Sequence, residues 1–295
     1  MDPVPLDALN SADRRTFIAT LGEAMEHAPW VAEATFAARP FASLAALNQA
    51  MIDAVRKAGD ERQRALINGH PDLAGKAARE GKLTADSTAE QAAAGLDRPS
   101  EQEAANFHRL NDAYREKFGM SFIICVRRHG KDSILREFER RLQNDPTTER
   151  ETALAEIFRI TALRLDQRVT AHDRLKVHGR LSTHVLNIHS GHPAAGIAVE
   201  LYEIGPGGSA RIVERAVTDA DGRTVRPLIA GRPIPIATYE LRFAVGEYFA
   251  RQRAAVSDPP FLDIVPVRFA VAEPEGEYHV PLLVTPWSYS TYRGS

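Results

Sequence analysis

Three short stretches in the first half of this chain set polar side chains where a helical scaffold has little use for them. Asn68-Gly69-His70-Pro71-Asp72-Leu73 places a histidine in a turn, because proline disfavours helix for the residue before it. Ser87-Thr88-Ala89-Glu90-Gln91 offers a hydroxyl, a carboxylate and an amide at a helix start. Arg164 follows Ile157 and Ile160 at helical spacing, so it borders an inward stripe instead of pointing to solvent. A histidine titrating near neutrality, a carboxylate and a guanidinium fork are groups suited to proton transfer and anion recognition. Each also has a plainer reading: a turn histidine, a capping box, and an arginine with its stem along apolar surface. Taken singly the residues leave both readings open; the combination is the signal.

The second half carries a different set. His184 and His279 each fall inside an alternating, strand-like pattern, on the face opposite its apolar residues, and Arg223 follows an Asp221-Gly222 turn. Two histidines raise the alternative of a zinc site. Neither has a histidine two or four residues away on its own element, Cys125 lies in the other half, and no third ligand is evident. No metal is therefore expected. His189 and His192 flank the Gly191 turn and read as solvated.

The elements that must position these residues change character midway. Before residue 166 the apolar residues recur at helical spacing. Ser11 is expected to start a helix carrying Phe17, Leu21 and Met25, and Ser43 one carrying Leu44, Leu47, Met51 and Val55 with Gly59 as its stop. Three S/T-x-x-E boxes, Ser87 to Glu90, Ser100 to Glu103 and Thr148 to Glu151, each read as a helix start. The helix after Ser100 carries Phe107, Leu110 and Tyr114 and stops at Gly119; the last carries Leu154, Ile157, Phe158, Thr161 and Leu165. Ser121 to Val126 is the one extended piece. From Leu181 the pattern alternates, with Leu181, Thr183 and Val185 on one face and Ser182 and His184 on the other. Short strands with turn signals at Ser190–Pro193, Asp219–Gly222 and Glu273–Gly276 indicate a β-sandwich. The expected organisation is an all-α domain over residues 1–166, a polar linker over 167–180 and an all-β sandwich over 181–295.

At 295 residues there is enough chain for two cores. Apolar content of 44% and charged content of 26% are ordinary for a globular protein, and a net charge of −2 gives no electrostatic reason to expect nucleic acid or an anionic membrane. Cys125 lies in an apolar run and reads as a buried, inert thiol, in keeping with a reducing compartment. The opening MDPVPLDALN has neither a basic nor an apolar targeting region, no stretch is long enough to span a bilayer, and the final tripeptide is not a peroxisomal address. A cytoplasmic location is expected.

NGHPDLAGKAA, LTADSTAEQAAAGLD, FHRLNDAYREKFGMSFIICV and EIFRITALRL, in that order over most of residues 10–166, resemble the motifs of OHCU decarboxylases. That family acts on 2-oxo-4-hydroxy-4-carboxy-5-ureidoimidazoline in urate breakdown. The resemblance implies His70 as catalytic acid/base with Glu90 as its carboxylate partner, and Pro71, Ser87 and Gln91 shaping the pocket. It implies Arg164 pairing an anionic part of the substrate, and the backbone of Phe122, Ile123 and Ile124 binding the ring. Met120-Ser121 and Arg127-Arg128-His129 depart from the family's usual pattern. Loss of CO2 from the ring carbon leaves electrons that an adjacent imine or carbonyl system accepts, so no cofactor is expected. The protein supplies orientation, desolvation and a proton on one face.

STHVLNIHSGHPAAGIAVELYEI, the Asp221-Gly222-Arg223 turn and EYHVPLLVTPWSYSTYRGS resemble 5-hydroxyisourate hydrolases, which have the transthyretin fold. The Tyr292-Arg293-Gly294-Ser295 tail is that family's signature and separates it from transthyretin hormone carriers. By position His184, Arg223, His279 and Ser295 are implied as catalytic, with Tyr292, Arg293 and Gly294 in substrate binding. A neutral histidine can take a proton from water while Arg223 stabilises the charge formed on attack. The resemblance also implies a homo-oligomer, a dimer or tetramer assembled through this domain, acting on small molecules. The expectation is a bifunctional, cofactor-free hydrolase and carboxy-lyase of urate degradation. Its competitors are a transthyretin-like carrier fused to a helical interaction domain, and a metal-dependent amidohydrolase.

Overall fold

The computed structural model describes residues 2–73, 84–96, 100–252 and 257–294. The chain divides into two units, Met1–Arg127 with Ile134–Val177, and Arg128–Ser133 with His178–Ser295. In the first unit the helices are α1 (Leu6–Ser11), α2 (Arg14–Leu21), α3 (Pro29–Thr35), α4 (Leu44–Lys57), α5 (Gly59–Gly69), α6 (Ala85–Ala93), α7 (Glu101–Phe118) and α9 (Pro146–Arg168); α8 (Lys131–Arg141) begins at the end of the Arg128–Ser133 insertion and continues in this unit. Their apolar stripes meet in one core that includes Phe17, Leu47, Met51, Phe107, Tyr114, Phe138 and Ile157. Helix α7 follows its sequence signals at both ends. Ser100 and Glu103 form a complete capping box, and Gly119 closes the helix at φ 65°, where a side chain would be strained. Ser43 likewise caps α4, its hydroxyl accepting the Ala46 N–H at 3.0 Å.

Other starts differ from expectation. Ser11 ends α1, and the cap of α2 is Asp13, which accepts from Thr16 N–H at 2.7 Å. Thr84 caps α6, so Ser87 and Glu90 lie inside that helix with their side chains free for other partners. Asp145 caps α9, accepting from both Thr147 and Thr148. A carboxylate at a helix N-terminus faces the positive end of the helix dipole as well as its free N–H groups. It therefore displaces Ser11 and Thr148 from the caps their spacing suggests.

Nor is the stretch expected as a linker a free one. Helix α9 runs on to Arg168, and β2 (Val169–Thr170) pairs in parallel with β1 (Val4–Pro5). Asp173 then accepts the Leu44 and Ala45 N–H groups at 2.8 and 3.0 Å, satisfying the start of α4 from far along the chain. Arg174 pairs with buried Asp166. Residues up to Val177 thus belong to the first unit, and polar composition here marks hydrogen-bonding partners instead of solvated chain.

The second unit holds β3 (Gly179–Ser182), β4 (Val185–Asn187), β5 (His192–Pro193), β6 (Ala198–Ile204), β7 (Ala210–Val217), β8 (Ile229–Arg232), β9 (Ala237–Ala244), α10 (Val245–Arg251), β10 (Ile264–Val271), β11 (Glu277–His279), β12 (Leu282–Val284) and β13 (Tyr289–Thr291). One sheet runs β10-β9-β6-β7, all antiparallel. Two shorter ones run β11-β3-β8 and β13-β12-β4-β5, with β11 parallel to β3 and β12 parallel to β4. The shorter sheets meet where His184 and Pro281 interrupt pairing, bridged by Val280 N–H to Ser182 and Leu282 N–H to His184. Leu181, Val185, Val199, Leu241, Phe243, Val265 and Leu282 are buried together between the sheets. Residues Arg128–Ser133 add to this unit: Ile236 N–H donates to the Arg128 carbonyl, and the Arg128 guanidinium forks onto Glu275 at 2.7 and 2.8 Å. No helix among the described residues is long and apolar enough to cross a membrane.

Candidate active sites

Pro71 ends α5 at His70, whose ring turns inward and is almost fully buried. Helix α6 brings Ser87, Glu90 and Gln91, α9 brings Arg164, and the extended segment after α7 brings Phe122, Ile123 and Ile124. All nine line one cavity, together with Leu73, Val126 and Ile160. Pieces separated by nearly a hundred residues of sequence converge because each sits at the end of, or on the inward face of, a packed helix.

The histidine is held in one tautomer. Its Nδ1 lies 2.9 Å from the Leu66 carbonyl, an acceptor, so Nδ1 carries the proton and Nε2 the lone pair. Nε2 is buried and has no hydrogen-bond partner among the described residues. Burial is the main cause holding the imidazole below its ordinary pKa of 6.5; the Leu66 carbonyl and the Glu26 charge oppose it, and Arg164 adds to the lowering. At neutral pH His70 therefore presents an acceptor, not a proton.

Glu90 does not reach His70 with a hydrogen bond among the described residues. Its carboxylate instead receives Arg164 Nε and Nη2 at 3.0 and 2.8 Å. Arg164, 3% exposed, also donates from Nη2 to Glu26 at 2.9 Å, while among the described residues Nη1 has only the Glu23 carbonyl at 3.5 Å. Burial works against the guanidinium's charge, but Glu90 and Glu26 outweigh it and its pKa is raised. Glu26 was not visible in the sequence reading. It accepts from Thr84 at 2.6 Å and Ser87 at 2.7 Å as well as from Arg164. Burial alone would raise its pKa; those partners reverse the shift and keep it ionised. Its sequence signal was faint: a carboxylate next to Met25, on a stripe that reads as helix with Phe17 and Leu21, whereas the helix ends at Leu21 and Glu26 lies beyond it.

In the second unit Ser182 and His279 point to the same side of the β3–β11 pair, with Ser182 Oγ 3.0 Å from His279 Nδ1. His184 bridges to Arg223, which the Asp219–Gly222 turn presents: Asp219 Oδ1 accepts the Asp221 and Arg223 N–H groups, both at 3.0 Å. Gly222 adopts φ 72° with the Val185 carbonyl and the His184 ring packed against it, so a side chain is excluded twice over. Gly294 N–H donates to the His279 carbonyl at 2.8 Å, laying the tail along the histidine, and Arg293 sits 5.0 Å over the Tyr278 ring. Tyr292 is exposed, and Ser295 lies outside the described residues.

A cavity here is lined by Arg180, Ser182, Arg223, Glu277, Tyr278 and His279. Burial is the first cause lowering the His279 pKa below 6.5, with Arg223, His184 and Arg180 adding positive charge nearby. His184 Nε2 is buried without a partner among the described residues. Arg180 and Glu277 are the residues sequence reasoning passed over. Strand alternation carried the signal, since Arg180 shares the Ser182 and His184 face and Glu277 the His279 face. Among the described residues no group of three or more His, Cys, Asp or Glu side chains is placed to hold a metal ion.

Residues 10–166 match the OHCU decarboxylase family and residues 181–294 the HIUase/Transthyretin family. The chain belongs to both, as a fusion of an OHCU decarboxylase domain with a domain of the HIUase/Transthyretin family. Among individual relatives, a 5-hydroxyisourate hydrolase of Deinococcus radiodurans is 52% identical over 118 residues, covering 40% of this chain and 98% of its own. A 2-oxo-4-hydroxy-4-carboxy-5-ureidoimidazoline decarboxylase of Haloferax volcanii is 40% identical over 171 residues, 58% of this chain and 99% of its own. The crystal structure of an (S)-allantoin synthase is similar over both units in sequence, 33% identical across 99% of this chain and 100% of that one, with a TM-score of 0.51.

Proposed function

We propose that this chain carries out two consecutive steps of urate breakdown. The second unit hydrolyses 5-hydroxyisourate to OHCU, and the first decarboxylates OHCU to (S)-allantoin. The observation that carries this reading is the cavity lined by His70, Glu90 and Arg164, with a neutral imidazole beside a fixed guanidinium.

Decarboxylation asks little covalent work of the protein. As CO2 leaves, its bonding electrons pass into the ring's C=N unit, whose nitrogen takes a proton from solvent. The resulting enol then ketonises, its hydroxyl losing a proton and the neighbouring ureido-bearing carbon gaining one. Unprotonated His70 Nε2 accepts the hydroxyl proton and returns it to that carbon from one face. Arg164 keeps one guanidinium nitrogen, Nη1, weakly engaged and available to an anionic or carbonyl edge. Glu90 acts through that arginine, holding its fork, in place of the direct partnership with His70 that the family resemblance suggests.

Hydrolysis of the cyclic acyl-urea bond uses His279 as a neutral base for water, with His184 orienting it and Arg223 stabilising the oxyanion. Gly294 lies against His279, and Tyr292, Arg293 and Gly294 supply binding contacts. Both steps run without a cofactor or metal. The protein acts as a cytoplasmic homo-oligomer assembled through the transthyretin-like unit.

The test supplies urate and urate oxidase with this protein and follows the chirality of the allantoin by circular dichroism. The expected product is a single (S) enantiomer formed faster than the spontaneous reaction. Racemic allantoin at the spontaneous rate would overturn the decarboxylase assignment, and unchanged decay of 5-hydroxyisourate the hydrolase one.

A further inference from the structure

Residues 121–125 pass between the helices of the first unit without pairing to a strand, and three hydrogen bonds to their backbone fall on one edge. Asn68 Oδ1 accepts the Ser121 N–H at 3.0 Å, Arg141 Nη1 donates to the Ile123 carbonyl at 2.6 Å, and Glu156 Oε2 accepts the Cys125 N–H at 2.8 Å. Positions 121, 123 and 125 alternate, as one edge of an extended chain requires. The other edge belongs to Phe122 and Ile124. Both residues are buried and line the cavity, and their backbone N–H and C=O groups make no hydrogen bond among the described residues. Buried backbone groups are rarely left unpaired, so this edge is built for a ligand that brings its own donors and acceptors.

The anchors on the held edge are themselves fixed. Arg141 is 1% exposed, lies 4.4 Å over the Phe122 ring and pairs with Glu149, which is fully buried. Glu149 also receives the Tyr114 hydroxyl and the Asn144 amide. Burying such a pair is costly in itself, and satisfying every oxygen is what makes it tolerable. What that arrangement secures locally is the position of the Ile123 carbonyl.

We propose that Arg141, Glu156 and Asn68 are positioning residues that hold the Phe122–Ile124 edge rigid, keeping the N–H and C=O groups by which the family resemblance implies the ring is bound aligned with the N–H and C=O of a cyclic ureide. The proposal rests on the decarboxylase reading of this cavity. The ring's one N–H with its adjoining C=O does not change during loss of CO2, the changes falling on the C=N unit and the hydroxyl-bearing carbon. Contacts to it are therefore the same in ground and transition states, and loosening them raises KM while leaving kcat nearly unchanged.

Paired variants test this in the full chain with OHCU generated in place. Glu156→Leu removes the acceptor for Cys125 N–H, whereas Glu156→Gln keeps an acceptor oxygen at the same reach. Asn68→Ala and Asn68→Asp make the same comparison at an exposed residue, which decides the matter if Glu156→Leu fails to fold. Loss of an acceptor is expected to raise KM for OHCU about tenfold with kcat within about twofold, the Gln and Asp variants staying near the parent. A merely structural role would lower the melting temperature of Leu and Ala variants without moving KM, and that result overturns the proposal. So does a fall in kcat at unchanged KM. A parent protein that fails to decarboxylate OHCU would instead remove the underlying reading, and this one with it.

Discussion

Glu26→Gln probes the charge cluster behind the first cavity with almost no change of shape. The carboxylate is 1% exposed and accepts three hydrogen bonds, from Thr84, Ser87 and Arg164. Glutamine keeps one acceptor oxygen but turns an NH2 group toward partners that now donate. Bonds to a charged acceptor contribute about 1.5–3 kcal/mol and neutral ones about 0.5–1.5, so the net loss is about 2 kcal/mol. For a unit of this size that lowers the melting temperature by about 4–8 °C. The pH dependence has a definite sign. The folded pKa of Glu26 is depressed from 4.5, so its stabilisation is present above the unfolded value and disappears as pH falls through the folded one. Parent and variant should therefore differ in thermal unfolding near neutrality and converge in acid. Catalysis gives a second readout. The Glu26 charge raises the His70 pKa, so removing it lowers that pKa further. In the proposed mechanism neutral His70 is the working form, so the acid limb of decarboxylase kcat/KM should move to lower pH. Equal melting temperatures near neutrality, or an acid limb shifted upward, would refute the account of this cluster.

Glu90→Gln loosens the Arg164 fork without touching a helix cap, because Thr84 and not Ser87 caps α6; the variant should keep its helix content by far-UV circular dichroism and yield racemic allantoin. Gly294→Ala introduces a Cβ about 2.7 Å from the His279 ring, so either the tail or the ring must shift. Hydrolase kcat/KM should then fall about a hundredfold, as misplacements near 1 Å can cost, with decarboxylase activity retained; parent-like decay of 5-hydroxyisourate would contradict the tail's role.

Local signals were legible where one residue type decides the outcome. Ser100, Glu103 and Gly119 marked both ends of α7, and alternation from Leu181 put Ser182 and His184 on one face, opposite the buried Leu181, Thr183 and Val185. They misled where several residues compete for the same N–H groups. Ser87–Glu90 and Thr148–Glu151 have the spacing of caps, but Thr84 and Asp145 hold those positions. Spacing identifies who can cap a helix; which candidate does so depends on where the chain turns.

The sequence by itself determined the class of each half, helical then sandwiched, because hydrophobic period is a property of neighbouring residues. With motif resemblance it also singled out His70, Arg164, His184, Arg223 and His279. Only the tertiary structure decided what those groups are bonded to. Glu90 serves Arg164, Glu26 completes the buried cluster, Asp173 caps a helix that begins 129 residues earlier, and Arg141, Glu156 and Asn68 converge on one edge of residues 121–125. A buried charge needs a partner of opposite sign close in space, and a buried N–H needs an acceptor. Neither requirement states where in the chain the partner lies, so the pairing stays hidden until the helices pack.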